Sequence, residues 1–327
     1  MDPLKLLKEL VEIESESGKE EEILSYLIDV LYEFEPTIFE KYNTKNILIN
    51  QNSDFWIVTH VDTIPVKRKF EFDGFYVYGT GCCDAKASIT AIILALNEIE
   101  ELKFGVALLS DEEEGGLGSK AVVEEFKGRK AIIMEPTELR IAKRHYGCLE
   151  IDVEFSGLSA HGAYPDRGVN AIEKAMKFVE ELKGKGLCLI QRIEGGSYEY
   201  VVPNKCSMRL DFVIPPEVDV NAFERHILEI LRGENCRTIE KAQGFVSGNV
   251  VDVLEIALDK VGLPVRYGEM RSWTDAINFK EAGWDVVVFG PGELHLCHTE
   301  RERIKIDEII KAKDVLVALN DVIQSNL

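Results

Sequence analysis

The stretch "FWIVTHVDTIP", residues 55–65, begins with a run of apolar, aromatic and β-branched positions and closes on His60 and Asp62. A short apolar run without alternation reads as a strand buried on both faces, as in the interior of a parallel sheet. "NILIN", "FGVALLS", "AIIMEP" and "WDVVVFGPG" share that character. Helical periods lie around them. "SESGKEEEILSYLIDVLYEF" carries a capping-box pattern at Ser17 and Glu20, followed by Ile23, Leu27, Val30, Leu31 and Phe34 on one stripe. "KASITAIILALNEI" reads as a largely buried helix, and "GSKAVVEEF", "NVVDVLEIALDKVG" and "DAINFKEAG" continue the rhythm. Apolar strands alternating with helices predict an α/β fold, a mostly parallel sheet with flanking helices.

From about residue 147 the period changes. "CLEIDVEFSG" and "KCSMRLDFVIPP" alternate apolar with polar, as half-solvated strands do, and "NAIEKAMKFVEEL" and "DVNAFERHILEIL" are amphipathic helices. The pattern predicts a small α+β domain over 147–245 inserted into an α/β domain made of 1–146 and 246–327.

Composition narrows the partners. The 327 residues are 46% hydrophobic, enough for two cores. A net charge of −20 repels phosphate backbones and anionic lipid, so neither nucleic acid nor a membrane surface is expected as a partner. No window approaches a membrane span, and "MDPLKLLKELVEIESESGKEEE" is acidic and amphipathic where a secretory leader is basic and then apolar. A cytoplasmic protein is expected. Seven cysteines without a CxxC pair argue for reduced thiols over a disulfide framework or a structural zinc knuckle.

The polar residues at the ends of the apolar runs carry the candidate chemistry. His60 and Asp62 follow one strand, and Asp84 sits in the glycine-rich turn of "GTGCCDAKAS". Asp111, Glu112 and Glu113 follow another strand, Glu135 a third, and His295 and His298 lie beyond a fourth. In open α/β sheets the carboxyl edge is where ligands bind, so these residues converge on one crevice. Taken singly, each has a plain structural reading: a helix start for the acidic run, a strand stop for Glu135, an N-cap for Asp84. Gathered together, the carboxylates repel unless a cation lies among them. Imidazole with carboxylate and no thiolate suits zinc, cobalt or manganese better than calcium.

The succession of "HVD", "GTGCCD", "DEEEGGLGS", a strand-end acid, "SAHGAYPDRGVNA" and "GPGELHLCHTERE" closely resembles the dinuclear-zinc aminoacylase and carboxypeptidase family of metallopeptidases. That family includes acetylornithine deacetylases and succinyl-diaminopimelate desuccinylases. The likeness runs from residue 55 to about 307. It implies that Asp84 bridges two zinc ions, that His60 and Glu135 complete one site, and that Glu113 and His298 complete the other. Asp62 would orient the His60 ring, and Glu112 would be the general base that hands a proton to the leaving amine. His161, in the insert, would reach the site from a partner subunit to stabilise the oxyanion, making the ferredoxin-like insert a lid and dimerisation domain. His295 is the rival for the role of His298, while His145 and His226 match nothing and read as structural or exposed. Within the family, the short length and "GTGCCDAKAS" resemble hydrolases that release lysine or ornithine from an acidic amino-group carrier protein. The activity implied is removal of an acyl group, the γ-glutamyl end of such a carrier, from the α-amino group. A free small-molecule deacetylase or dipeptidase is the alternative, and cobalt is a possible substitute metal. The segment Arg271–Asp275 departs from the family's glycine-rich pattern. Lys67, Arg68 and Lys69, with Lys143, Arg144 and His145, are the runs from which a positive docking patch could come.

Overall fold

The structure is a computed structural model that describes residues 1–126, 130–182 and 187–325. The chain forms two compact units: one of 1–143, 247–270 and 274–327, the other of 144–246 and 271–273.

The first unit is built on a mixed sheet. Its strands lie in the order Thr37–Lys41, Thr44–Ile49, Gly105–Leu109, Phe55–His60, Lys130–Ile133, Asp285–Val288 and Ile141–His145. From Gly105–Leu109 to Asp285–Val288 neighbours run parallel; toward both edges they are antiparallel. Phe55–His60 and Gly105–Leu109 are buried at every position, as their unbroken apolar runs require. The helix Lys86–Leu96 is likewise buried along its whole length. It packs against the terminal helices Pro3–Glu12 and Ile306–Ser325, which close one face of the core. A small second sheet joins Glu71–Phe72, Val77–Tyr78 and Arg303–Ile304.

One local expectation is corrected. The helix after Ser17 begins only at Glu21, with Glu20 at its N-cap and no side-chain cap. The Ser17 hydroxyl instead donates to the Asp62 carboxylate at 2.7 Å, a charge-assisted hydrogen bond that holds Ser17 at the site and away from the helix start.

The second unit is an antiparallel sheet in the order Leu187–Gly195, Lys205–Ile214, Gly147–Ser156, Asn235–Ala242. Leu149, Ile151, Val153 and Phe155 alternate with polar neighbours and pack, with Met208, Leu210 and Phe212, against the helices Ala171–Leu182 and Val220–Ile230. Strand and helix succession is β-α-β-β-α-β. All seven cysteines are free thiols. Among the described residues no helix is long and apolar enough to cross a membrane.

Candidate metal centre

The parallel register sets the site. His60 pairs with Leu109, and Val58 with Ile133, so the chain ends that follow these strands emerge side by side. Glu112 and Glu113 follow one and Glu135 another. Gly290 lets a fourth strand end approach: a Cβ there would lie 2.6 Å from the Glu135 carbonyl oxygen.

His60 is fully buried at its strand end. Its Nε2 lies 3.2 Å from Asp84 Oδ1 and 3.6 Å from Glu135 Oε2. The other ring nitrogen, Nδ1, sits 2.9 Å from the backbone oxygen of Asp62 and 3.5 Å from its carboxylate. The ring is therefore oriented by Asp62 mainly through its peptide, while the Asp62 carboxylate has other work. It accepts from the Ser17 hydroxyl and from the backbone amides of Glu112 and Glu113 at 3.1 Å each, fixing the start of the acidic turn. On the opposite side, His298 Nε2 lies 2.9 Å from Glu113 Oε2 and 3.5 Å from Asp84 Oδ2. Potential ligand atoms fall within 4.8 Å of one another in three overlapping groups: His60 with Asp84 and Glu135, Asp84 with Glu113 and His298, and His60 with Glu112 and Glu113. Asp84 is common to the first two.

Electrostatics reports the crowding. Burial pushes Glu135 up to about 8 and holds Glu112 well above the ordinary carboxylate range, with nearby carboxylates adding to the effect. His298 rises to about 10 beside Asp84 and Glu113. Asp84 is held low against its burial by hydrogen bonds with His298 and His60. Oε1 of Glu135 is buried without a hydrogen-bond partner. An orphaned carboxylate oxygen, carboxylates that repel, and imidazole nitrogens converging on them are the donor set a divalent cation satisfies. No thiolate joins it: Cys83 and Cys297, adjacent in sequence to Asp84 and His298, belong to none of the three groups, and the Cys297 thiol donates to Glu293 O at 3.6 Å.

Residues the sequence did not single out also shape the centre. Glu302, buried, accepts from the amides of Cys83 and Asp84 at 3.0 and 3.2 Å and fixes the Asp84 turn; burial lifts it to about 7. Its signal was present, since it closes "HTERE". Asp275 is buried, lifted by burial to about 7, and its charge helps push Glu112 up.

The remaining histidines separate. His295 lies 3.8 Å from Glu293 with its side chain 68% exposed, and joins none of the three groups. His145 is buried and stacked on Phe245 at 5.0 Å, and His226 is exposed on its helix. His161 belongs to the second unit, where its Nδ1 accepts from the amide of Ala163 and its ring meets the Tyr200 ring at 5.4 Å. The run Lys143–His145 supplies little free positive charge, because His145 is buried and Arg144 pairs with Glu217.

A largely parallel α/β sheet that gathers carboxylates and imidazoles at its carboxyl edge makes a candidate metal centre, and kinship with known enzymes makes the chain a metal-dependent amidohydrolase. Residues 56–321 match the profile of peptidase family M20/M25/M40, and the chain belongs to that family. It is 29% identical to an acetylornithine deacetylase of Myxococcus xanthus over 80% of this chain and 77% of that one. It is 26% identical to a LysW-lysine/LysW-ornithine hydrolase of Sulfurisphaera tokodaii, over 94% and 91% of the two chains. In fold it is similar to a tripeptidase of Staphylococcus aureus, with a TM-score of 0.84, 20% identity and 98% of each chain covered.

Proposed function

We propose that this chain is a two-metal hydrolase that releases lysine or ornithine from an N-α-acyl conjugate, the acyl group being the γ-glutamyl end of an acidic amino-group carrier protein. The observation that carries the reading is the pair of ligand groups sharing Asp84, with Glu112 beside them. His60, Asp84 and Glu135 would hold one ion, and Asp84, Glu113 and His298 the other. Zinc, or cobalt in its place, would supply polarisation of the amide carbonyl and acidification of the attacking water. Glu112 would take up the proton of that water and return it to the leaving nitrogen. Asp62 keeps the His60 ring and the amides of Glu112 and Glu113 in place. The resemblance assigns His161 to the oxyanion, supplied across a homodimer by the partner's insert. The carrier-linked substrate is supported by likeness to the hydrolases of Sulfurisphaera tokodaii and of Pyrobaculum aerophilum, the latter 26% identical over 98% of both chains. Likeness to the Myxococcus xanthus enzyme supports the second reading, a free N-acetylornithine or N-acetyl-lysine deacetylase in the same kind of biosynthesis.

Elemental analysis of the purified protein is expected to give about two divalent ions per chain, with activity lost to a chelator and restored by zinc or cobalt. One ion after full reconstitution would sink the dinuclear centre. Glu112→Gln is expected to keep both ions and lose roughly 10²–10⁴ in turnover; equal loss of metal and activity would make Glu112 a ligand. Turnover of N-acetylornithine, N-acetyl-lysine and a carrier-linked lysine by the same preparation decides between the two substrates.

A further inference from the structure

His298 is held in a conformation its own backbone disfavours. Its φ is +61°, in the left-handed region that non-glycine residues seldom occupy, and its side chain is 51% exposed, so packing does little to enforce it. Hydrogen bonds from Thr299 Oγ1 to Leu296 O and from Arg301 N to Thr299 Oγ1 shape the turn but do not touch the His298 peptide. The Lys67 ammonium does: it donates to the His298 carbonyl oxygen at 2.7 Å. Beside it, Arg68 donates to the carbonyl of Glu300 at 3.2 Å, with its guanidinium 4.1 Å from the centre of the Tyr78 ring.

Lys67 and Arg68 are themselves anchored. Their amides donate to Thr80 Oγ1 at 2.9 and 3.1 Å, and Thr80 N donates back to Arg68 O at 3.0 Å. Thr80 opens the turn that carries Asp84. One dipeptide thus ties the Asp84 turn to the His298 turn, the two segments that, with Glu113, form the second ligand group.

We infer that Lys67 and Arg68 are positioning residues that clamp the His298 turn and set the affinity of the metal site containing His298. This rests on the dinuclear reading given above. The other group, His60 with Asp84 and Glu135, has its own supports in Asp62 and Glu302, so loss of the clamp should weaken one ion and spare the other. Outer supports of metal ligands are worth roughly 10–100-fold in affinity.

The test is a titration of chelator-stripped protein with Co²⁺, following ion uptake by calorimetry and by the cobalt absorption bands. Wild type is expected to show two binding events. Lys67→Ala should keep the tighter event and weaken the other by about tenfold or more, with Arg68→Ala acting in the same direction. Lys67→Arg, which keeps a donor at the site, should recover most of the loss. A melting temperature for Lys67→Ala within a degree or two of wild type would exclude general unfolding as the cause. Two wild-type affinities in Lys67→Ala, or both events weakened equally, would overturn the clamp while leaving the dinuclear centre standing. Fewer than two ions on wild type would overturn the dinuclear reading and the clamp with it.

Discussion

Asp62 shows how much one side chain can organise. Its peptide oxygen orients His60, and its carboxylate gathers the Ser17 hydroxyl and two amides of the acidic turn. The sequence placed His60 and Asp62 on one face of a strand and linked them by their side chains. In the structure the strand ends at His60, and the turn that follows brings the Asp62 carbonyl in front of the ring. Periodicity sees side chains, and a backbone acceptor leaves no trace in it. His145 gives a second residue-scale consequence. Burial holds its ring at about 4, so the folded chain stays neutral there while the unfolded chain protonates near pH 6.5. Above about pH 6.5 both states are neutral and stability is unaffected. Between about 6.5 and 4 the unfolded state binds the extra proton, and stability falls as pH drops, by roughly 3 kcal/mol in full. His145→Phe is expected to lose some stability at neutral pH, with its hydrogen bond to Tyr146 O, yet to show a flatter loss across that window. Urea midpoints measured from pH 7 to 4 would show it; parallel curves would sink the assignment.

At the scale of elements, what could be read depended on how strongly burial marked each one. The central strands were legible because both faces are covered, which leaves an unbroken apolar run, and the alternating strands Gly147–Ser156 and Lys205–Ile214 because one face is covered. The edge strand Asn235–Ala242 and the two-residue strands of the small sheet carry no such mark, since edges keep polar residues, and in the edge strand Leu187–Gly195 the apolar Leu189, Ile190 and Ile193 are exposed, so its pattern follows no buried face. Asp275 escaped for a related reason: it acts from a helix start, where no period exists to single it out, whereas Glu302 stood in the quoted motif with no period to show its role. The meeting of strand ends rests on close backbone approach. Gly290→Ala should push the strand end away from Glu135, because the added Cβ would sit 2.6 Å from a backbone oxygen that has no freedom to yield. The expected result is a protein destabilised by about 1–3 kcal/mol, as overpacked sites are, and weakened in binding the ion that His60, Asp84 and Glu135 would hold. Unchanged metal affinity and melting temperature would show that the strand end can shift freely.

The molecule as a whole divides its labour. Every proposed ligand lies in the first unit, and His161 lies in the second. If the proposed homodimer shares its sites, His161→Ala should cost roughly 10²–10³ in turnover with metal content intact. Mixing it with Glu112→Gln should then rebuild one working site per heterodimer. Heterodimers that form and stay inactive would assign His161 to its own chain or to no role.

The seam where the 144–246 stretch leaves and rejoins the first unit is narrow. Ser247 N donates to Lys143 O at 2.8 Å, and both residues belong to the first unit, so the chain departs and returns at one hydrogen bond. Beyond that seam Arg144 pairs with Val246 and His145 with Phe245, the first rungs of the excursion. Residues 144–246 thus form one long excursion from the first unit, with 271–273 a second, three-residue one. Excising the long one and rejoining Lys143 to Ser247 through a short glycine linker would re-thread no strand that bears a ligand. Every proposed ligand comes from chain that flanks 144–246, so a change within that stretch leaves the whole ligand set in place.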